Sequence, residues 1–117
     1  MIVVDACVLI EAASDRGSRG TWCRGVLRRE RLTAPHAVLA EACNGLRKLE
    51  RRGRLAPQAA GRSLADLLRI PIELSSFPPF AARIWQLRHD LSPHDAWYVA
   101  LAESIEAPLA TLDLRLA

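Results

Sequence analysis

The chain has 117 residues, half of them hydrophobic and a quarter charged, with a net charge of +3; that length accommodates one core and excludes a second domain, and the composition is that of a folded globular protein. Cys7, Cys23 and Cys43 are an odd set without a CxxC pair, which speaks against a disulfide framework or a Cys-ligated zinc site and fits a reducing compartment. The first ten residues carry no basic segment and hold Asp5 inside a short apolar run, so neither a signal peptide nor a membrane span is expected, and a cytoplasmic protein is.

Ile2, Val3 and Val4 form an unbroken apolar run, the mark of a short strand buried on both faces as in a parallel sheet; Asp5 ends it. A helix is predicted over 6–13, a turn at Asp15, Arg16, Gly17 and Ser18, and a second helix over 21–29 with Trp22, Val26 and Leu27 facing inward. A second strand is predicted over 31–34, stopped by Pro35. The long helix that follows, 36–52, carries an apolar stripe at Val38, Ala42, Leu46 and Leu49 and ends at Gly53. Pro57 leads into a helix over 59–69, and a third strand is predicted over 70–74, where Pro71 suits a first position or an edge. Pro78 and Pro79 open a helix over 80–89; Ser92 as N-cap and Pro93 at the first helical position open another, apolar on every side from Ala96 to Ala102 and therefore central. Leu109 to Leu112 is the last strand, ended by Asp113 as Asp5 ends the first. Strands alternating with helices imply a single-domain α/β/α sandwich around a short parallel sheet.

Four acids occupy strand ends or helices in this scheme: Asp5, Glu41, Asp95 and Asp113. In open parallel sheets, ligands bind beyond the carboxyl ends of the strands, where strand order reverses. Asp5 and Asp113 equally suit helix N-caps, and Asp95 stands three residues after Ser92 as in a capping box. Glu41 has no cation three or four positions away on its helix, which tilts it towards a partner outside that helix. If the four converge, like charges about 4 Å apart repel by roughly 4 kcal/mol at an effective dielectric of about 20, and a bound cation is the ordinary remedy. Carboxylates without a His or Cys set at zinc spacing favour Mg²⁺ or Mn²⁺; His36, His89 and His94 form no such motif. The basic residues are fifteen Arg and the single Lys48, a bias compatible with a nucleic-acid partner and equally with codon usage.

The local strings are more specific. Ile2-Val3-Val4-Asp5, then Pro35 to Glu41 with Asn44, Leu46 and Arg47, then Leu91-Ser92-Pro93-His94-Asp95 through Glu103, then Leu109-Ala110-Thr111-Leu112-Asp113 resemble, in order, the successive acidic motifs of the PIN-domain family, above all its VapC-type toxins. The resemblance spans essentially the whole chain. It implies a ribonuclease in which Asp5, Glu41, Asp95 and Asp113 hold Mg²⁺ or Mn²⁺, the metal lowering the pKa of a water that attacks the phosphodiester. It also implies an RNA substrate, a cognate VapB-type antitoxin and a homodimer, with no membrane partner. Two departures stand out. Cys7 replaces the family's usual Ser or Thr two places after the first Asp, and the chain ends at Ala117 where the family commonly adds a final edge strand.

Thr111 is read mainly as holding the strand end, Arg47 and Arg115 as solvated or meeting RNA phosphates, and Trp22, Trp85, Trp97 and Tyr98 as core or dimer contacts. A catalytically silent PIN-like module that binds RNA or protein is the alternative; loss of an acidic ligand would be its signature, and all four acids are present. Other phosphoryl-transfer folds fit poorly. Cys7 stands where a phosphatase would want a second Asp, no P-loop or GxGxxG string occurs, and Lys48 is badly placed for a phospho-receiver.

Overall fold

The computed structural model describes residues 1–112; Asp113 and Arg115 lie outside them. Four parallel strands, β1 (Ile2–Val4), β2 (Leu32–Pro35), β3 (Ile72–Ser75) and β4 (Leu109–Ala110), form one sheet in the order β3-β2-β1-β4. Six helices flank it: α1 (Ala6–Ser14), α2 (Ser18–Arg29), α3 (Val38–Arg51), α4 (Pro57–Leu68), α5 (Ala81–Gln86) and α6 (Pro93–Ser104). Val3 pairs with Thr33 on one side and Leu109 on the other. The chain leaves β1 towards β2 and returns as β4 on the opposite side, so the strand order reverses between β1 and β4. That crevice is where such sheets place ligands.

Burial explains why β1 is an unbroken apolar run. Val3 and Val4 are fully buried, as are Val8 and Leu9 of α1 and Val38 and Ala42 of α3, and each Val or Leu contributes about 1.5–3 kcal/mol by leaving water. A second, smaller cluster gathers Ile84, Ala96, Trp97 and Ala100. Helix α6 belongs to both clusters: Tyr98 and Leu101 face the main core, and Ala96, Trp97 and Ala100 face the smaller one. This is the physical sense of a helix that reads as apolar all round.

Helix ends follow local chemistry. Helix α3 stops in a Schellman arrangement: Gly53 takes φ +73°, its N–H donates to the Glu50 carbonyl at 3.0 Å, and the Arg54 N–H donates to Leu49 at 2.9 Å. Pro57 begins α4, and the Ser92 hydroxyl caps α6 by accepting the Asp95 N–H at 3.2 Å. Pro71 directly precedes the edge strand β3, which starts two residues later than the sequence suggests.

Three expectations need correction. Trp22 is 48% exposed, because α2 buries Gly20, Cys23 and Val26 instead. The helix expected over 80–89 is a 3-10 turn, Pro78–Phe80, followed by the short α5; beyond it Arg88 and Asp90 donate to carbonyls three residues back, which tightens the chain into turns. Helix α2 begins at Ser18, three residues early, because the Asp15 carboxylate accepts the Gly20 N–H at 2.7 Å and closes the corner. Arg24 fastens the same corner by donating to the carbonyls of Ala12 and Asp15.

A Cβ on Gly20 would lie 1.9 Å from the Asp15 carbonyl oxygen, a backbone atom that cannot step aside. Gly20→Ala is expected to lower stability by about 1–3 kcal/mol, the usual cost of overpacking, read as a fall in the urea midpoint at unchanged slope.

Candidate active site

Asp5 stands at the carboxyl end of β1 and is only 5% exposed. It caps α1, its Oδ1 accepting the Val8 N–H at 3.3 Å. The Cys7 thiol donates to the same oxygen and the Thr111 hydroxyl, just past β4, donates to Oδ2. Capping and site roles therefore coexist. A carboxylate offers about four acceptor positions, so three donors orient this one and leave room for a further partner.

Cys7 occupies the position of a hydroxyl donor and performs that role with sulfur. Burial, then its hydrogen bond to Asp5, pushes the thiol up to about 11, so it is protonated at neutral pH and acts as a donor, not as a nucleophile.

Glu41 comes from the first turn of α3 and Asp95 from the first turn of α6. Both line one cavity with Asp5, a cleft of about 540 Å³ at the β1–β4 crevice. The Tyr98 hydroxyl, one turn along α6 from Asp95, donates to Glu41 Oε1 at 3.1 Å. Desolvation raises the pKa of Glu41 above the ordinary glutamate value; the Tyr98 hydrogen bond and His94 oppose this, while Asp95 and Asp5 add to it. Burial and the adjacent Glu41 charge likewise drive the Tyr98 phenol upward, which keeps it a donor.

Three of the four acids picked out in the sequence thus share a cavity; the fourth, Asp113, lies outside the described residues. Among the described residues, no three His, Cys, Asp or Glu side chains are gathered tightly enough to hold an ion by themselves. The donor set is oxygen-only, which fits Mg²⁺ or Mn²⁺, and Mg²⁺ characteristically keeps several waters and takes only one or two carboxylates directly.

Sequence reasoning missed three features of the cleft. Tyr98 reads as core, and nothing local ties it to Glu41. Arg19, from α2, lines the cavity, and so does Lys48, which the sequence placed away from any such site. Its signal was the spacing: Lys48 follows Glu41 by seven residues, two turns along the same helix face. The two cations stand on the rim of a cleft otherwise marked by acids.

The PIN domain family pattern matches residues 2–117. The chain belongs to the PIN-domain family. Ribonuclease VapC9 of Mycobacterium tuberculosis is 40% identical over 116 residues, spanning 99% of this chain and 88% of that protein. Ribonuclease VapC1 of the same species is 35% identical over 119 residues, with 98% and 87% covered. Among solved structures, PAE2754 from Pyrobaculum aerophilum superposes with a TM-score of 0.75 at 30% identity, covering 98% of this chain and 76% of that one. The M. tuberculosis toxin VapC20, described as cleaving the sarcin-ricin loop, gives 0.69 at 19% identity over 97% and 91%, a likeness of fold alone. In this PIN domain the cleft holds Asp5, Glu41 and Asp95, with the Cys7 thiol beside the first.

The raised pKa of Glu41 has a stability consequence in metal-free protein. Between the ordinary glutamate value and the raised one, the folded state holds a proton that the unfolded state has released, so stability falls as pH rises through that window. With a chelator present, the thermal midpoint is expected to drop across this range, and Glu41→Gln is expected to flatten that part of the profile.

Proposed function

We propose that this PIN domain is a metal-dependent ribonuclease that hydrolyses RNA phosphodiester bonds, acting in the cytoplasm as the toxin of a toxin–antitoxin pair. The observation that carries the reading is the meeting of Asp5, Glu41 and Asp95 in one cleft at the point where strand order reverses. The names of the VapC ribonuclease relatives support the reaction class. A cognate VapB-type antitoxin, which the names of these relatives support, and a homodimer complete the proposal.

Asp5, Glu41, Asp95 and, from the sequence motif, Asp113 are the residues that would hold Mg²⁺ or Mn²⁺. When bound, the metal supplies an acidified water and positive charge for the phosphorane and leaving oxygen. The chain's own contribution is orientation. Cys7, Val8 and Thr111 fix the carboxylate of Asp5, and Tyr98 holds one oxygen of Glu41. Arg19 and Lys48, which line the cleft, would meet the non-bridging oxygens of a phosphate lying over the acids. No side-chain nucleophile is needed, and the protonated Cys7 does not supply one.

Asp5→Asn and Asp95→Asn, assayed against wild type for Mg²⁺- or Mn²⁺-dependent cleavage of an RNA pool, are each expected to lose more than about 100-fold in rate, beyond the usual cost of an outer-shell partner. Full activity in both variants would refute the assignment. A wild type that binds RNA but cuts none with either metal would point instead to a silent RNA-binding module.

A further inference from the structure

Beside the acidic cleft, the surface holds a second depression of about 360 Å³ whose lining is wholly cationic: Arg47, Lys48, Arg51 and Arg52. Lys48 lines both, so the two are adjacent. All four side chains are exposed, and none is in an ion pair among the described residues. Arg47 alone has a described side-chain bond, from Nε to Asn44 Oδ1 at 3.1 Å. Other arginines are committed elsewhere. Arg31, Arg69 and Arg83 pair with acids, Arg24 ties a helix corner, and Arg88 stacks over Trp85 at 4.4 Å.

The cluster works against its own helix. Arg47 with Arg51 and Lys48 with Arg52 are like charges four residues apart, an unfavourable spacing. The helix dipole rewards cations in the last turn, but that accounts for one or two of them and not for a depression walled by four. A polyanion removes the repulsion. The geometry also gives direction: Glu41, Asn44, Lys48 and Arg51 or Arg52 follow at successive turns of α3, with Lys48 about 10 Å and Arg52 about 16 Å along the axis from Glu41. The ridge therefore leads away from the acids in a single line.

We infer that the C-terminal half of α3 is a phosphate track, on which Lys48, Arg51, Arg52 and Arg47 grip the backbone of a single RNA strand whose scissile phosphate lies over Asp5, Glu41 and Asp95. The inference rests on the nuclease reading for its direction. Its contacts go to phosphate, so they add affinity without base preference. Arg at three of the four positions suits the fork-like contact to phosphate oxygens.

The test measures binding apart from cleavage. A fluorescein-labelled single-stranded oligoribonucleotide is titrated with the full chain in EDTA at several KCl concentrations, and the slope of log Kd against log salt is compared. Arg51→Gln with Arg52→Gln is expected to weaken binding equally for several oligonucleotide sequences and to reduce the slope by about 0.7 for each lost contact. Arg51→Lys with Arg52→Lys, which keeps the charge, is expected to retain the slope. Arg28→Gln with Arg29→Gln on α2, an equal change of charge off the track, is expected to leave Kd and slope near wild type. Circular dichroism and thermal midpoints confirm that the exposed substitutions leave the fold intact. An unchanged slope in the Gln pair, or an equal loss in the α2 control, would overturn the track. So would ridge-dependent binding of polyglutamate without ridge-dependent binding of RNA, which would assign the surface to an acidic protein segment. Ridge-dependent RNA binding by a wild type that cuts nothing would support the track while refuting the nuclease reading.

Discussion

A carboxylate buried at the end of the central strand is the constraint from which the site is built. Asp5 sits where β1 gives way to α1, between the apolar core on one side and the cleft on the other, and is 5% exposed. A charge there is tolerable only if donors surround it, and they come from three directions: the helix it caps, the thiol two residues on, and a hydroxyl from the neighbouring strand end. The last of these joins positions 106 residues apart in sequence. The same bonds that make the buried charge acceptable also fix the carboxylate at the crevice, so stability and site geometry come from one set of contacts.

The other carboxylates depend on this frame through helices rather than strands. Parallel order forces each crossover to return along a helix, and the reversal between β1 and β4 leaves the first turns of α3 and α6 beside the same gap. Tyr98 then ties the two helices across 57 residues of sequence. Its ring belongs to the main core and its hydroxyl belongs to the cleft, so the packing of α6 sets the orientation of a side chain on α3.

Much of this was legible before any coordinates. The apolar run ended by Asp5, the Gly53 stop and the Ser92–Pro93 start are local signals with local causes, and each stands where the sequence put it. The acidic strings carried the family and predicted that Asp5, Glu41, Asp95 and Asp113 would gather; the first three share a cavity, and the fourth lies outside the described residues. What escaped was set by tertiary partners. Trp22 looks like a core residue by composition, yet Cys23 and Val26 claim the inward face. Short proline-led segments such as 78–90 have too few residues for periodicity to separate a helix from a series of turns. Tyr98 stands one turn from Asp95, but its bond to Glu41, like the placing of Arg19 at the cleft, is set by how the helices pack.

Helix α6 has one foot in each of two unequal hydrophobic clusters, and this ranks the parts of the molecule by how readily they open. The smaller cluster rests on four buried side chains, one of them Trp97, edge-on to a Phe77 ring that is 39% exposed. Regions with few buried contacts generally exchange their amide hydrogens through local openings of low free energy, and core strands are generally the last to exchange. Asp95 directly precedes Ala96 and Trp97 of the smaller cluster, whereas Asp5 directly follows Val3 and Val4 of the main one. The two carboxylates are therefore anchored through different clusters, and the shape of the cleft between them depends on both.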